Sequence, residues 1–464
     1  MKQETIFYDK MPYSQDEFFQ SYVRNTQNQP YHVLLESGRS GKYSIAGVAP
    51  FARIQASEDH VEITQNGQTE HVTGNPLAIL EEWMSTYTFE PINDLPEFQG
   101  GAIGYISYDY GWQIEKLPNL ATDDIQLPTM YFLIFDEWVI YDHEQECVWF
   151  FILNKEKSRL DQLKAKWVHE EGIQKATSEI TATSSERDVS FTEEQFVDAV
   201  KKVQDFIREG DAFQVNLTVR QSMELGIPPL AIYQELRQLN PSPYMGYMHT
   251  PEFQIISGSP ELLIQKEGAT VKTRPIGGTR PRGVDAAEDK KYEEELLTTE
   301  KERAEHIMLV DIERNDLGRV CKYGTVKVDQ LLTIEKYSHV MHLVSHVSGE
   351  LDESYSAYQL IDAVFPGGTI TGAPKIRTME IIEELEPVKR GIYTGSIGWI
   401  GFNQDLHLNI VIRTMLVKDG ICYVQAGAGI VIDSDPKSEY EESLRKAQAL
   451  WKAKEEAEKK VYNQ

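Results

Sequence analysis

Alternating apolar and polar positions dominate the first 160 residues and predict β-strands. The runs are rich in β-branched and aromatic residues, with turn formers between them. They are YHVLLES, ARIQAS, VEITQNGQTEHV, GGAIGYISYDY, TMYFLIFDEWVIYDH and CVWFFILN. Asn66-Gly67, between two alternating runs, is typical of a hairpin turn. A helical pattern follows over residues 157–171, and the polar, Ser/Thr-rich stretch 174–190 is interpreted as a surface linker.

Helical periodicity begins after this stretch. Residues 192–195 form a capping signal before apolar positions spaced along one helix face, and Gly210 is typical of a helix end. Strand-like runs follow, and the pattern predicts one long helix from residue 286 to about residue 310. Further segments predict a helix at IRTMEIIEEL, strands at TGSIGWIGFN, LHLNIVIRTMLVK and GICYVQAGAGIVI, and a final helix from about Pro436.

These elements indicate a mixed α/β fold in which large antiparallel sheets pack as a sandwich with helices on the outside. The change of pattern near residue 190 divides the chain into two regions. Residues 1–190 form a β-rich region that ends in the linker, and residues 191–464 carry the mixed elements. A chain of 464 residues exceeds one ordinary core, so two lobes or one large composite domain are expected.

The charge balance narrows the classes of partner. Forty-six basic against seventy-three acidic side chains give a formal charge of −27, which disfavours nucleic acid and anionic membranes. A buried site with its own cation can still bind a small anion, because salt screens exposed charges beyond roughly 8 Å. Three scattered cysteines without CxxC spacing predict neither disulfides nor zinc. With no signal core and no apolar run near 18 residues, we expect a soluble cytoplasmic protein.

Acidic side chains near the C-terminus are the first candidates for chemistry. Glu439, Glu442 and Lys446 share one face of the final predicted helix. Taken alone, they fit an ordinary solvated face with a Glu–Lys pair. Glycines 427 and 429 in the preceding strand, however, permit a ligand to approach the backbone. The segment FPGGTITGAPKIRTM offers exposed N–H groups and hydroxyls that suit an anion, and it is not a P-loop.

Taken together, the motifs resemble the chorismate-utilising family, which includes anthranilate, isochorismate and salicylate synthases. The resemblance covers essentially the whole chain and is densest over residues 195–450. The segments that carry it are SPYMGYM, GSPELL, TRPIGGTRPRG, KERAEHIMLVDIERNDLGRV, SHVMHLV, FPGGTITGAPKIRTMEIIEELEP, GSIGWIGFN, NIVIRTM and QAGAGIVIDSDPKSEYEES. The resemblance implies the family's fold, chorismate as substrate and Mg²⁺ as cofactor.

The same resemblance assigns roles to individual residues. It implies Glu305 and Glu442 as Mg²⁺ ligands, with Glu439 supporting the ion. It implies Glu261 as the general acid for the C4 hydroxyl. The substrate contacts that it implies are His342, Thr369, Tyr393, Arg413, Gly427 and Lys446. Carboxylates suit Mg²⁺, and the arginine fork suits a carboxylate of the substrate. From sequence alone, His342 fits a packed core histidine equally well.

Gln214 indicates which nucleophile the protein uses. Family members that add water have a lysine base at this position, and glutamine cannot act as a base. The resemblance therefore implies that ammonia is the nucleophile and that a separate glutamine amidotransferase subunit supplies it. FQVNL, FPGGTITG and YTGSIGW are similar to the branch that aminates chorismate at C4. Amination at C2 with loss of pyruvate, which forms anthranilate, is the alternative.

One position departs from both branches. Gly277 stands where many C4-aminating relatives have a nucleophilic lysine and where C2-aminating relatives have alanine. We therefore expect no covalent adduct at this position, and we expect that a long side chain there would enter space used by the substrate.

A second group of residues resembles the family's tryptophan pocket, in which tryptophan either inhibits or is a structural ligand. It comprises Leu35, Glu36, Ser37, Pro243, Tyr244 and Met245. A packed turn without a ligand remains the alternative for these residues.

Overall fold

The computed structural model describes residues 4–38, 41–88, 91–168, 186–337 and 340–462. These ranges contain eleven α-helices and two short 3-10 helices, Tyr108–Tyr110 and Gly368–Ile370. The α-helices are α1 Gln15–Thr26, α2 Pro76–Met84, α3 Gly111–Ile114, α4 Ser158–Val168, α5 Glu193–Glu209, α6 Pro229–Leu239, α7 Ala286–Thr298, α8 Glu300–Gly318, α9 Ala357–Val364, α10 Lys375–Leu385 and α11 Pro436–Tyr462.

The same ranges contain twenty-four strands. The first twelve are β1 Ile6–Pro12, β2 His32–Glu36, β3 Tyr43–Val48, β4 Ala52–Ser57, β5 His60–Gln65, β6 Gln68–Thr73, β7 Gly101–Ile106, β8 Met130–Ile134, β9 Glu137–Asp142, β10 Cys147–Leu153, β11 Asp188–Val189 and β12 Gln214–Glu224. The others are β13 Tyr244–His249, β14 Phe253–Ser259, β15 Leu262–Glu267, β16 Thr270–Arg274, β17 Ile276–Pro281, β18 Lys327–Lys336, β19 Val340–Glu350, β20 Gly372–Ala373, β21 Ser396–Gly401, β22 Leu406–Ile410, β23 Thr414–Lys418 and β24 Ile421–Ile430.

The strands form two twelve-stranded sheets. Sheet A has the order β1-β10-β9-β3-β2-β13-β14-β23-β24-β12-β11, and β20 pairs with β12. Sheet B has the order β17-β19-β16-β15-β22-β21-β7-β8-β4-β5-β6, and β18 pairs with β19. Neighbouring strands are antiparallel, as β12 with β24 and β21 with β22 show. The expected mixed fold with large antiparallel sheets is confirmed.

One continuous core lies between the sheets, where Ile45 and Phe151 of sheet A meet Ile54 and Ile103 of sheet B. A second core covers the outer face of sheet A, where helices α1, α4, α6 and α11 pack. Helices α5 and α10 pack against β12 and β24 through a third, smaller core. Sheet A is therefore buried on both faces, so any polar side chain within it is removed from water.

The two regions of the sequence contribute to both sheets. Sheet A joins β1–β3 and β9–β10 to strands that follow residue 190, and sheet B joins β4–β8 to β15–β19 and β21–β22. Because both regions contribute strands to both sheets, the described residues form one composite architecture. Most of the segment interpreted as a linker lies outside the described residues, as does the end of the helix expected at 157–171.

The local signals at turns and caps are confirmed. Asn66 and Gly67 both have positive φ and close the β5–β6 hairpin. Thr192 forms a capping box with Gln195 at the start of α5, and Gly210 ends that helix in the left-handed region. These positions were predictable because their geometry depends on neighbouring residues alone.

Two expectations about continuity are wrong. The helix expected over 286–310 is two helices, since Thr299 has an extended backbone that ends α7 and begins α8. The run LHLNIVIRTMLVK is not one strand, because it passes from sheet B in β22 to sheet A in β23. Arg413, with a φ of 51°, lies in this passage. Across the ranges given above, no helix combines the length and apolar character that a membrane span needs.

Candidate active site

Two neighbouring passages between the sheets form the centre of the candidate site. One joins β14 of sheet A to β15 of sheet B, and the other joins β22 to β23. Backbone hydrogen bonds connect them: Gly258 N donates to Arg413 O at 3.0 Å, and Ile410 N donates to Glu261 O at 3.0 Å. The hydroxyl of Ser259 donates to Ile410 O at 2.6 Å. The backbone positions of Glu261 and Arg413 are therefore fixed relative to each other.

Glu261 is a buried carboxyl in one of these passages, with 5% of its surface exposed. Burial raises its pKa to about 7, although the N–H of Ile276 and the hydroxyl of Thr369 favour the charged form. At neutral pH a substantial fraction of Glu261 is therefore protonated. A carboxylic acid with this pKa can donate a proton to a leaving hydroxyl group.

Arg413 supplies positive charge in the adjoining passage. Among the described residues, no side chain forms an ion pair or hydrogen bond with its guanidinium. Burial lowers its pKa, while nearby Tyr393 and Glu442 favour the charged form. The hydroxyl of Tyr393 is also buried, and burial raises its pKa. An arginine fork without a counterion, next to a phenol, is suited to a carboxylate ligand.

His342 lies on β19, opposite Thr279 of β17, and its Nδ1 is 2.8 Å from the hydroxyl of Thr279. Burial lowers its pKa to about 4, and Arg413 and Arg274 add to this effect. The imidazole is therefore neutral at neutral pH, and it can exchange hydrogen bonds with a ligand without adding charge.

Three carboxylates from two helices lie within the electrostatic influence of Lys446. Glu305 of α8 accepts a hydrogen bond from Gln214 Nε2 at 3.0 Å, and Glu442 of α11 pairs with Lys446 at 2.9 Å. Burial raises the pKa of Glu305 and of Glu439. Lys446 also acts on Glu305, so α11 lies close enough to influence α8. At Glu442 the charge and hydrogen bond of Lys446 outweigh the effect of burial and hold the pKa of the carboxyl below its ordinary value.

This donor set fits a hard divalent cation. All three groups offer carboxylate oxygens, and two of them, Glu305 and Glu439, are partly buried carboxyls that a cation would stabilise in the charged form. Within the residues that the structure describes, however, no three acidic, His or Cys side chains already stand close enough to enclose a metal ion. The structure thus provides candidate ligands on helices α8 and α11, and these ligands do not yet form a closed metal site.

Glycines on β24 make room for polar groups from β12. A Cβ at Gly429 would lie 2.1 Å from Gln214 Nε2, and a Cβ at Gly427 would lie 2.5 Å from Leu217 O. Lys446 donates to the carbonyl of Gly427 at 2.8 Å. The two glycines before the last helix therefore mark a place where β24 approaches groups of β12 too closely for any larger residue.

Packing against a neighbouring side chain explains why a glycine stands at position 277. A Cβ at this position would lie 2.3 Å from Nδ1 of His306. His306 is fully buried, and its Nε2 is 2.7 Å from the hydroxyl of Ser345. A Cβ at position 277 would enter space filled by this ring, so close packing against His306 accounts for the glycine, and the expectation about the substrate stays a prediction. His306 was not predicted, because the segment Ala304-Glu305-His306 does not distinguish it from a residue on the helix surface.

The six residues predicted for an amino-acid pocket line one cavity of about 500 Å³: Leu35, Glu36, Ser37, Pro243, Tyr244 and Met245. The carboxylate of Glu36 accepts hydrogen bonds from Arg237 at 2.6 and 2.7 Å and from Tyr233 at 2.6 Å. Glu36 therefore stabilises the cavity wall, and its charge is already matched.

Other residues of this cavity were not anticipated. Phe98 and Trp399 add aromatic faces, and His407 and Asn409 bring polar groups. Nε2 of His407 and Nδ2 of Asn409 are buried without a hydrogen-bond partner in the described ranges. Aromatic walls with a few unpaired polar atoms suit a small aromatic ligand that carries polar groups.

Comparison with known proteins agrees with this geometry. The model of the chorismate binding enzyme family matches residues 30–452. Aminodeoxychorismate synthase component 1 of Bacillus subtilis (strain 168) is 49% identical over 458 residues, which cover 97% of each chain. Anthranilate synthase component 1 of Acetivibrio thermocellus is 43% identical, with 91% of this chain and 90% of that protein covered.

A solved structure supports the same assignment. Anthranilate synthase component I from Streptococcus pneumoniae TIGR4 superimposes with a TM-score of 0.78 at 34% identity, covering 89% of this chain and 93% of that one. The residues matched by the family model include both passages between the sheets, helix α8 and the part of α11 that carries Glu439 and Glu442. The chain therefore belongs to the chorismate binding enzyme family.

Proposed function

We propose that this protein aminates chorismate at C4 to give 4-amino-4-deoxychorismate, a precursor of p-aminobenzoate and folate. The reaction uses Mg²⁺ and ammonia from a separate glutamine amidotransferase subunit. The observation that carries the proposal is the fixed pair of a protonatable Glu261 and Arg413, whose guanidinium has no side-chain partner among the described residues. The 49% identity to aminodeoxychorismate synthase component 1 supports the choice of C4.

Each residue of the candidate site has a separate role in this reaction. Arg413 and Tyr393 hold the enolpyruvyl carboxylate, and neutral His342 contacts the C4 region. Protonated Glu261 donates its proton to the C4 hydroxyl, which leaves as water. Thr369, the backbone of Gly427 and Lys446 complete the substrate contacts. Fixed groups of this kind lower the barrier by orienting the substrate and stabilising developing charge.

The ion would be held by Glu305 and Glu442, with Glu439 in support. A bound Mg²⁺ would neutralise the ring carboxylate of chorismate and assist the departure of the hydroxyl. Lys446 keeps Glu442 charged, and Gln214 orients Glu305 through its amide N–H. Both interactions prepare the carboxylates for a cation.

The cysteines support a separate source of ammonia. Burial raises the pKa of Cys147, of Cys321 to about 11 and of Cys422 to about 12. Thiols in such surroundings are poor nucleophiles, because the thiolate is the reactive form. None of them suits the cysteine chemistry of a glutaminase, and the relatives' designation as component 1 agrees with a second component.

Amination at C2, with loss of pyruvate to form anthranilate, is the second candidate. It is favoured by the 43% identity to anthranilate synthase component 1 and by the superposition on its solved counterpart. The same Glu261, Arg413 and carboxylates serve either outcome.

The cavity lined by Leu35 and Met245 is proposed to bind tryptophan. Its aromatic faces suit an indole, and the unpaired polar atoms of His407 and Asn409 suit the amino-acid groups. Burial lowers the pKa of His407 to about 4, so this residue binds as a neutral imidazole.

The product test separates the two candidates. The purified chain, incubated with chorismate, Mg²⁺ and ¹⁵N-ammonium, should give chorismate with its hydroxyl replaced by a labelled amino group and with the pyruvyl group retained. Mass spectrometry provides the measurement. EDTA should abolish the product, and glutamine without ammonium should give none. Free pyruvate with a fluorescent aromatic product would show amination at C2 instead.

The acid role predicts a stability effect that does not depend on turnover. An ordinary glutamate titrates near 4.5 when unfolded, whereas folded Glu261 titrates near 7. Charging this group therefore opposes folding above pH 4.5, and the full penalty is reached above pH 7. Glu261→Gln removes a penalty of about 3 kcal/mol at pH 8 but little at pH 5.

We therefore expect urea unfolding to show Glu261→Gln more stable than wild type at pH 8, with the difference shrinking at pH 5. Its kcat should fall by about 10²- to 10⁴-fold while chorismate binding changes little. Glu384→Gln, which changes an exposed carboxylate without an ion pair among the described residues, is the control for the stability measurement. An equal difference at both pH values would contradict the assignment.

Gly277 offers no nucleophile, so catalysis proceeds without a covalent adduct at this position. Gly277→Ala should lower the melting temperature and the activity, because its Cβ would lie 2.3 Å from His306. Overpacking of this kind costs about 1–3 kcal/mol. Adding His306→Ala should recover much of the lost stability. Gly318→Ala, where a Cβ meets nothing within 4 Å, is the control in differential scanning fluorimetry.

The cavity predicts selective binding of tryptophan. L-Tryptophan at millimolar concentration should raise the melting temperature, and phenylalanine, with a smaller ring, should raise it less. Heat-denatured protein should release tryptophan if the ligand is retained during purification. If tryptophan causes no shift of the melting temperature and none is released on denaturation, these residues serve packing alone.

A further inference from the structure

A buried carboxyl on α8 has no part in the roles assigned above. Glu313 follows Glu305 on the same helix by about two turns, and 4% of its surface is exposed. Its Oε2 accepts a hydrogen bond from the hydroxyl of Thr273 at 2.7 Å. Burying an ionisable group costs free energy unless a partner compensates for it, so this hydrogen bond identifies what Glu313 holds in place.

Thr273 joins this carboxyl to the segment that faces the general acid. It lies near the end of β16, is 1% exposed and pairs with Val347 of β19. Three residues later, the N–H of Ile276 donates to Oε1 of Glu261 at 3.4 Å, and it favours the charged form of that carboxyl. Pro275 restricts the backbone between Thr273 and Ile276, so a displacement of Thr273 also displaces this N–H.

The same part of α8 holds a second segment that faces the acid. Asp316, with 4% of its surface exposed, pairs with Nζ of Lys375 at 2.5 Å, and Lys375 also donates to the carbonyl of Val364 at 3.1 Å. These bonds tie the two ends of the segment 364–375 to α8. That segment carries Thr369, whose hydroxyl also favours the charged form of the general acid.

The charges that act on Glu313 favour its neutral form. Burial raises its pKa to about 8, and the charges of Asp316 and Glu261 act in the same direction, while Lys375 opposes them. Lys375 is already paired with Asp316. The carboxyl is therefore largely protonated at neutral pH, and it can accept the hydroxyl of Thr273 without burying a further charge.

We propose that Glu313 is a positioning residue for the general acid, acting through Thr273 to hold the N–H of Ile276 against Glu261. This proposal rests on the function proposed above, in which Glu261 protonates the C4 hydroxyl. Because α8 also carries Glu305, one helix then fixes both the acid and a candidate metal ligand. A misplaced acid transfers its proton less efficiently even when the substrate still binds.

The first test compares two changes at Thr273. Thr273→Val removes the hydroxyl at nearly constant volume, and Thr273→Ser retains it. We expect Thr273→Val to lower kcat by about tenfold with the KM for chorismate within about twofold of wild type, and we expect Thr273→Ser to stay within about twofold in both values. Steady-state kinetics with each substrate varied in turn provide the measurement.

The pH profile supplies a readout that a merely structural hydrogen bond would not change. Protonated Glu261 is the active form, so kcat falls as the pH rises through its pKa of about 7. Loss of an N–H that favours the charged form raises this pKa. Measured at a constant concentration of free ammonia, the midpoint of the fall should therefore move to higher pH in Thr273→Val and stay in place in Thr273→Ser.

Changes on the helix test the other end of the same bond. Glu313→Gln retains an acceptor for Thr273 and should keep kcat within about threefold of wild type, whereas Glu313→Leu removes the acceptor and should lower kcat as Thr273→Val does. Thr26→Val is the control, because it removes a buried hydroxyl that donates to the carbonyl of Tyr22 on the remote helix α1. It should change neither kcat nor the midpoint.

Two outcomes would overturn the proposal. One is an unchanged kcat in Thr273→Val. The other is a fall in kcat that follows a lower melting temperature while the midpoint of the pH profile stays in place, because Glu313 would then serve packing alone. Wild-type activity in Glu261→Gln would instead reject the underlying function.

Discussion

The candidate site depends on two strands leaving one sheet for the other at the same place. The hydroxyls of Ser257 and Thr414 lie 2.8 Å apart just before the passages diverge from sheet A, and Ile410 N bonds Glu261 O where they enter sheet B. Because the backbones satisfy each other, the chain can cross the interior without leaving N–H and C=O groups unpaired. Glu261 and Arg413 are carried into that interior as a consequence, and the pKa of Glu261 rises there because of burial.

Local charge at this site runs against the charge of the whole molecule. The chain carries −27, yet Arg413 and Lys446 present cationic groups beside the carboxylates of α8 and α11. Long-range repulsion of an anion is weakened by salt beyond about 8 Å, whereas an enclosed guanidinium acts at contact distance in a less polar medium. An anionic substrate is therefore selected by these few partly buried cations, and the acidic surface has little influence on its binding.

The sequence predicted elements better than it predicted their assembly. Capping at Thr192 and the turn at Asn66 depend on adjacent residues, so they could be read directly. The passage through Arg413 could not, because alternation in LHLNIVIRTMLVK gives the face of each residue but not the sheet to which it belongs. Family resemblance indicated Glu261, Arg413 and Glu305, whereas the role of His306 required the position of Gly277 in space.

The cavity and the candidate active site share an ion pair, and this makes their electrostatics interdependent. Arg274 and Glu335 line the cavity, and Arg274 also donates to the hydroxyl of Tyr337 at 2.7 Å. The ring of Tyr337 lies 5.6 Å from that of His342. Arg274 lowers the pKa of both Glu261 and His342, since positive charge favours the deprotonated form of each. Arg274 therefore links the wall of the cavity electrostatically to two groups of the candidate active site.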